Sequence, residues 1–169
     1  MKEKNLAVEM LKKLLAEQVA MYKRSNLVKS EEFSEILKRV MNGYINGMID
    51  NETVIQELLK LAAQIQADKL LGTELGLSED EQAFYDALSR PEAIKDFYQN
   101  GELVSLTREL TETLRKNKTI DWEKREDARA KMRMMVKKLL KRYKYPPEGM
   151  EDVVQTVLAQ CELWTDNSN

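Results

Sequence analysis

The chain has 169 residues, 43% hydrophobic and 33% charged, with 27 Lys and Arg against 29 Asp and Glu, a net charge of −2 and no histidine. That size suits one domain around one core, and the apolar content excludes a disordered chain. No stretch reaches the roughly 18 uninterrupted apolar residues of a membrane span, and charges interrupt the amino-terminal MKEKNLAVEMLKKLL as no secretory signal allows, so a cytoplasmic protein with no membrane partner is expected.

Apolar residues recur at three- and four-residue spacing almost throughout, and β-type alternation is missing, which predicts an all-α fold: a single irregular helical bundle of about seven to eight helices over residues 1–169. The first helix is expected from about Lys4 to Tyr22 with Leu6, Met10, Leu14 and Leu15 inward. KRSNLVKS follows as a polar break, and Ser30 caps a second helix striped by Phe33, Ile36, Leu37, Val40, Met41 and Tyr44. Gly43 and Gly47 mark its end. Asp50 then caps a long third helix with Val54, Leu58, Leu61 and Ile65 facing the core, closed by Gly72. Ser78 and Glu81 have capping-box spacing, Pro91 suits a first helical turn and Gly101 a helix stop, which together predict two short helices.

From Glu102 to Lys116, Leu103, Leu106, Leu110 and Leu114 form a narrow stripe that ends at KNKT. The next helix is expected to start at Asp121 as N-cap, with Glu123, Glu126 and Asp127 near the positive end of its dipole, and to end at Tyr145 before Pro146 and Pro147. The last helix, about Glu148 to Trp164, should turn Met150, Val153, Val154, Val157, Cys161 and Trp164 inward. Of the nine methionines, Met10, Met41, Met132 and Met135 lie on apolar stripes and fit as core gap-fillers.

The basic helix is the one unusual feature. Between Ala128 and Tyr145 stand Arg129, Lys131, Arg133, Lys137, Lys138, Lys141, Arg142 and Lys144, with no acidic residue. If Met132, Met135, Val136, Leu139, Leu140 and Tyr143 face inward, Arg129, Arg133, Lys137 and Lys141 form an exposed row in which like charges repel. Three fates are open to such a row: neutralisation within the domain, for which Glu102, Glu109 and Glu112 are candidates; an acidic protein partner; or nucleic-acid phosphates. The net negative charge and the lack of aromatics among the basic residues count against the last. Trp122, at the start of this helix, is either an anchor for a partner or, more simply, a core tryptophan with its ring nitrogen satisfied.

Catalytic machinery is not found. The missing histidine removes the common general base, and the lone Cys161 forms neither an internal disulfide nor a zinc site and reads as a buried hydrophobe. Phosphate-cradling GxxxxGK[ST] and GxGxxG segments are absent, and carboxylate pairs such as Glu31 with Glu35 or Glu109 with Glu112 lack a histidine to complete a bundle metal site. No catalytic, cofactor-binding or metal-binding residue is therefore assigned.

In wording, the segments NLAVEMLKKLL, FSEILKRVMNGYINGMIDNETVIQELLKLA, LGTELGLSEDEQAFYDAL and LTRELTETLRKNKTIDWEKREDARAKMRMMVKKLLKRYKYPP resemble the C-terminal helical region of the R (restriction, or motor) subunit of type I restriction-modification enzymes. The likeness runs in order from about Asn5 to Glu162. It implies a part of a larger polypeptide whose nuclease and ATP-driven translocase domains lie elsewhere, so ATP and Mg are expected there and no cofactor here. It also implies a region that docks the R subunit onto modification and specificity subunits, with other domains of the R subunit as further partners, while contact of the basic row with the DNA backbone stays open as an alternative. The expected contact surface is Lys124, Arg125, Arg129, Arg133, Lys137 and Lys141, with Asp121 and Trp122 fixing the helix start.

Overall fold

The computed structural model describes residues 2–99, 101–119 and 121–168, and the side chains between 6 and 165 apart from those at 100 and 120. Among the described residues there are eight α-helices and no strand, as the periodicity predicts: α1 (Lys2–Ser25), α2 (Leu27–Ile45), α3 (Asn51–Glu74), α4 (Glu79–Leu88), α5 (Ala93–Phe97), α6 (Glu102–Asn117), α7 (Glu126–Arg142) and α8 (Met150–Ser168). A single 3-10 turn, Trp122–Lys124, precedes α7.

Among the described residues the buried apolar side chains form two clusters rather than the one core expected. Helices α1, α2 and α3 pack together over Val8, Leu15, Phe33, Val54, Leu58 and Leu61, while α4 to α8 enclose Phe84, Leu106, Leu110, Trp122, Met132 and Leu140. Helix α8 packs on α4 and α7, and α4 also packs on α6. In α6 the buried Thr107 and Thr111 hydroxyls donate to the carbonyls of Leu103 and Thr107 at 2.7 and 2.8 Å, so neither is buried unsatisfied.

A polar clamp joins the two clusters where α1 turns into α2. Asn26 caps α2, accepting from the Lys29 amide at 3.1 Å, and its amide nitrogen donates to the Asp86 carboxylate of α4 at 2.8 Å. From α8, Gln160 donates to the Ser25 carbonyl at 2.8 Å and accepts from the Leu27 amide at 2.7 Å. Those two backbone groups lie at the α1–α2 corner, where helical bonding lapses, so the buried Gln160 satisfies them as a water otherwise would. Lys29 lies beside this clamp with its ammonium 3.3 Å from Asp68 of α3. Burial would lower the Lys29 pKa, but the carboxylates of Asp86, Asp68 and Glu32 outweigh it and hold the pKa above its ordinary value.

Several local expectations are corrected. Leu15 of α1 points inward with Val8 and Val19, but Leu6, Met10 and Leu14 are 61%, 58% and 57% exposed. The helix carries two apolar stripes, and the one that packs continues through Leu11 to Tyr22. Ser30 lies one turn inside α2, and Asn26 takes the capping role. Gly72 does not end α3: it is buried beneath Gln82, and the chain turns at Gly76, whose φ is +70°. Gly101, at φ +83°, starts α6 rather than stopping a helix. The Asp50 cap and the Ser78–Glu81 capping box form as the spacing predicts.

The clamp makes a pH prediction. Burial raises the Asp86 pKa from 3.8 to about 6, with Lys29, the Asn26 hydrogen bond and Lys95 pulling it down and Asp68 pushing it further up. A raised folded-state pKa means that the stabilising contribution is complete below about pH 4 and is lost as pH rises through about 6. Asp86→Asn removes this term and leaves an oxygen to accept from Asn26. Its unfolding free energy, measured by urea titration relative to the parent, should rise by roughly 2–3 kcal/mol between pH 4 and pH 7.

Candidate interaction surface

Rotation of α7 about its own axis decides which cations are available. Met132, Val136, Leu139 and Leu140 are buried against α6 and α8, and Met135 and Tyr143 pack at the margin, as the sequence stripe predicts. The start of the helix differs from the prediction. Asp121 lies in the left-handed region at φ 57° and makes no side-chain cap, and α7 begins only after Arg125, which also provides no side-chain cap. Trp122 anchors the turn between them: it is 1% exposed, and its indole nitrogen donates to Thr165 Oγ1 of α8 at 3.1 Å.

The cations divide into a neutralised set and a free set. Arg129 lies 3.3 Å from Glu162 and donates to the Glu123 carbonyl at 3.0 Å, Lys137 pairs with Glu151, and Arg142 pairs with Glu109. Arg129 and Lys137 thus spend their charge on α8, and Arg142 on α6. Glu109 also accepts from the Tyr143 hydroxyl. Of the acids expected to neutralise the row, only Glu109 reaches α7; Glu112 pairs with Arg115 of its own helix at 2.9 Å. Lys124 is 4.0 Å from Asp121, and Arg125 is 3.7 Å from Asp127, both pairs being well exposed.

Arg133 and Lys141 keep no ion partner among the described residues, and the same holds for Lys131, Lys138 and Lys144; all five are exposed. The predicted row of Arg129, Arg133, Lys137 and Lys141 is therefore split, two neutralised and two free. Successive helical residues turn by about 100°, which brings Lys131, Met134, Lys138 and Lys141 into an arc of roughly 80°. Lys137 with its α8 partner flanks this arc on one side, and Arg142 with its α6 partner on the other. Met134, 72% exposed, lies within it. The sequence reading passed over Met134, although its position three residues after Lys131 and four before Lys138 sets it off the buried stripe.

Cys161 is fully buried, and burial pushes its thiol up to about 12, so it is a packing group, as expected. Among the described residues no cluster of three or more Cys, Asp and Glu is arranged to hold a metal ion, and no helix is long and apolar enough to cross a membrane.

Comparison with known proteins decides the family. Residues 1–167 match the family model described as type I restriction enzyme HindI endonuclease subunit-like, C-terminal. The chain belongs to this family. It is 38% identical over 159 residues to the type I restriction enzyme HindI endonuclease subunit of Haemophilus influenzae, covering 94% of this chain and 15% of that protein. It is 29% identical over 150 residues to the putative type I restriction enzyme MjaIXP endonuclease subunit of Methanocaldococcus jannaschii, covering 88% of this chain and 14% of that protein. The chain thus spans about one-seventh of the length of these relatives, and the resemblance noted in the sequence is confirmed. No solved structure matches.

The ion pairs and the stripe differ in what they contribute. Lys137→Ala breaks a half-exposed pair and should change unfolding free energy by less than about 1 kcal/mol, the small effect shrinking further in high salt. Leu140→Ala opens the core and should cost about 2–5 kcal/mol. Chemical denaturation of both variants measures the contrast.

Proposed function

We propose that this chain is the assembly segment of a type I restriction endonuclease subunit, seating that subunit on the methyltransferase core built from modification and specificity subunits, with no catalytic residue or cofactor of its own. Activity in the cytoplasm is part of the same proposal. The observation that carries it is the unneutralised cationic face of α7 in a chain of net charge −2 that belongs to a C-terminal family of such subunits. Exposed like charges gathered on one helix repel one another, and an acidic protein surface relieves that repulsion while steering approach and fixing orientation. Of the expected contact residues, Arg133 and Lys141 are exposed and have no ion partner among the described residues, which supports a direct contact. Lys124 and Arg125 lie at the edge of the surface beside their own acids, and the charges of Arg129 and Lys137 are cancelled by Glu162 and Glu151 of α8.

A second role within the subunit is supported by a different surface. Leu6, Met10 and Leu14, at four-residue spacing on one face of α1, are exposed, and an apolar stripe of this kind favours a neighbour that covers it. Buttressing the nuclease and translocase parts of the same subunit is the corresponding alternative. Contact with DNA phosphates through α7 is the other.

Titration of the chain against a purified modification–specificity complex separates these readings. Reversal of Arg133 and Lys141 to Glu should weaken binding at least about tenfold in low salt, through slower association. Unchanged affinity would overturn docking through α7. Affinity for duplex DNA that falls steeply with salt would favour the phosphate reading instead.

A further inference from the structure

The free face of α7 also specifies the form of its partner, an inference that rests on the docking reading above and narrows it. Lys131, Met134, Lys138 and Lys141 follow one another at intervals of three, four and three residues. That 3.5-residue repeat is the spacing at which one helix meets another side by side. The buried stripe of α7 already faces its own bundle, so this seam is a second, outward contact line on the same helix.

Its composition selects a ligand. The lysines have no ion partner among the described residues, and no acidic residue occurs from Ala128 to Tyr145 to interrupt them. Met134 stands between Lys131 and Lys138 at 72% exposure. A phosphate backbone complements three ammonium groups but offers nothing apolar to a thioether side chain. A flexible, polarizable Met suits an apolar side chain on an opposing helix. The neighbouring pairs, Lys137 with Glu151 and Arg142 with Glu109, flank the seam and keep competing charge off it.

We infer that the seam Lys131–Met134–Lys138–Lys141 receives an acidic amphipathic helix of the partner, its carboxylates opposite the lysines and one apolar side chain covering Met134. Helix-in-groove recognition of this kind reads anchors at three- and four-residue spacing. The charges speed encounter and set register, and the apolar contact slows release.

The test compares Met134→Ser with the double variant Lys138→Glu/Lys141→Glu. Met10→Ser serves as a control for loss of an exposed methionine elsewhere, and circular dichroism checks the fold of each variant. The probe is the purified modification–specificity complex, titrated at about 50 mM and about 500 mM salt. The parent chain is cross-linked to it with carbodiimide, which joins a lysine amine to a carboxylate with loss of water. Met134→Ser should weaken binding about tenfold at both salt concentrations, and Lys138→Glu/Lys141→Glu should weaken it far more at the lower one. Met10→Ser should bind as the parent does, and cross-links should reach acids three or four residues apart in one segment. Parent-like binding by Met134→Ser beside a failing double variant would overturn the acidic helix while leaving docking intact. The same result with competition by duplex DNA would assign the seam to phosphates. Failure of the parent chain itself to bind would overturn the docking reading together with this one.

Discussion

The rotational setting of α7 governs what this protein presents to others. Burial of Met132, Val136, Leu139 and Leu140 leaves that helix one orientation in which its apolar stripe is covered. In that orientation Glu162 and Glu151 of α8 meet Arg129 and Lys137 on one flank, and Glu109 of α6 meets Arg142 on the other. Among the cations left outward and unpaired, Lys131, Lys138 and Lys141 line up with Met134, while Arg133 lies beyond Lys137 and Lys144 follows the helix end. Hydrophobic burial fixes the rotation, since half-exposed ion pairs are each worth less than about 1 kcal/mol. The pairs act on charge instead, cancelling cations at the flanks so that positive potential is concentrated on the free line.

Supports for α7 lie at both of its ends. Trp122, buried and bonded to Thr165, ties the preceding turn to α8, and at the other end the buried Tyr145 donates to the Leu88 carbonyl of α4 at 2.6 Å. Helix α8 therefore holds α7 and, through Gln160, also holds the α1–α2 corner. A single helix thus connects the outward cationic face to the three-helix cluster that bears the exposed Leu6, Met10 and Leu14. The two candidate contact surfaces belong to different clusters joined by the Asn26, Asp86 and Gln160 clamp.

Much of this was legible in the sequence where one physical signal acted alone. The α6 leucine stripe, the Ser78 capping box and the inward face of α7 each follow from a pattern with no competitor nearby. Where two signals competed, sequence could not choose. On α1, Leu6, Met10 and Leu14 make a stripe as regular as that of Val8, Leu11 and Leu15, and only packing against α2 and α3 selects the second. Gly72 and Gly76 both suit a helix end, but close approach of Gln82 claims one and the turn the other. The cationic surface shows the same limit: periodicity finds the exposed row but not the α8 acids, more than ten residues away in sequence, that neutralise half of it. The family itself was visible in extended wording, and the comparisons confirm it.

Lysine footprinting of the chain alone and bound to the modification–specificity complex tests the central claim most directly. With a small acylating reagent and mass spectrometry, Lys131, Lys138 and Lys141 should lose most of their reactivity in the complex. Lys12 and Lys13, exposed on α1, should keep theirs. Full reactivity of all three α7 lysines in a demonstrably assembled complex would contradict the account, because the outward face of α7 would then be open to solvent while the partner is bound.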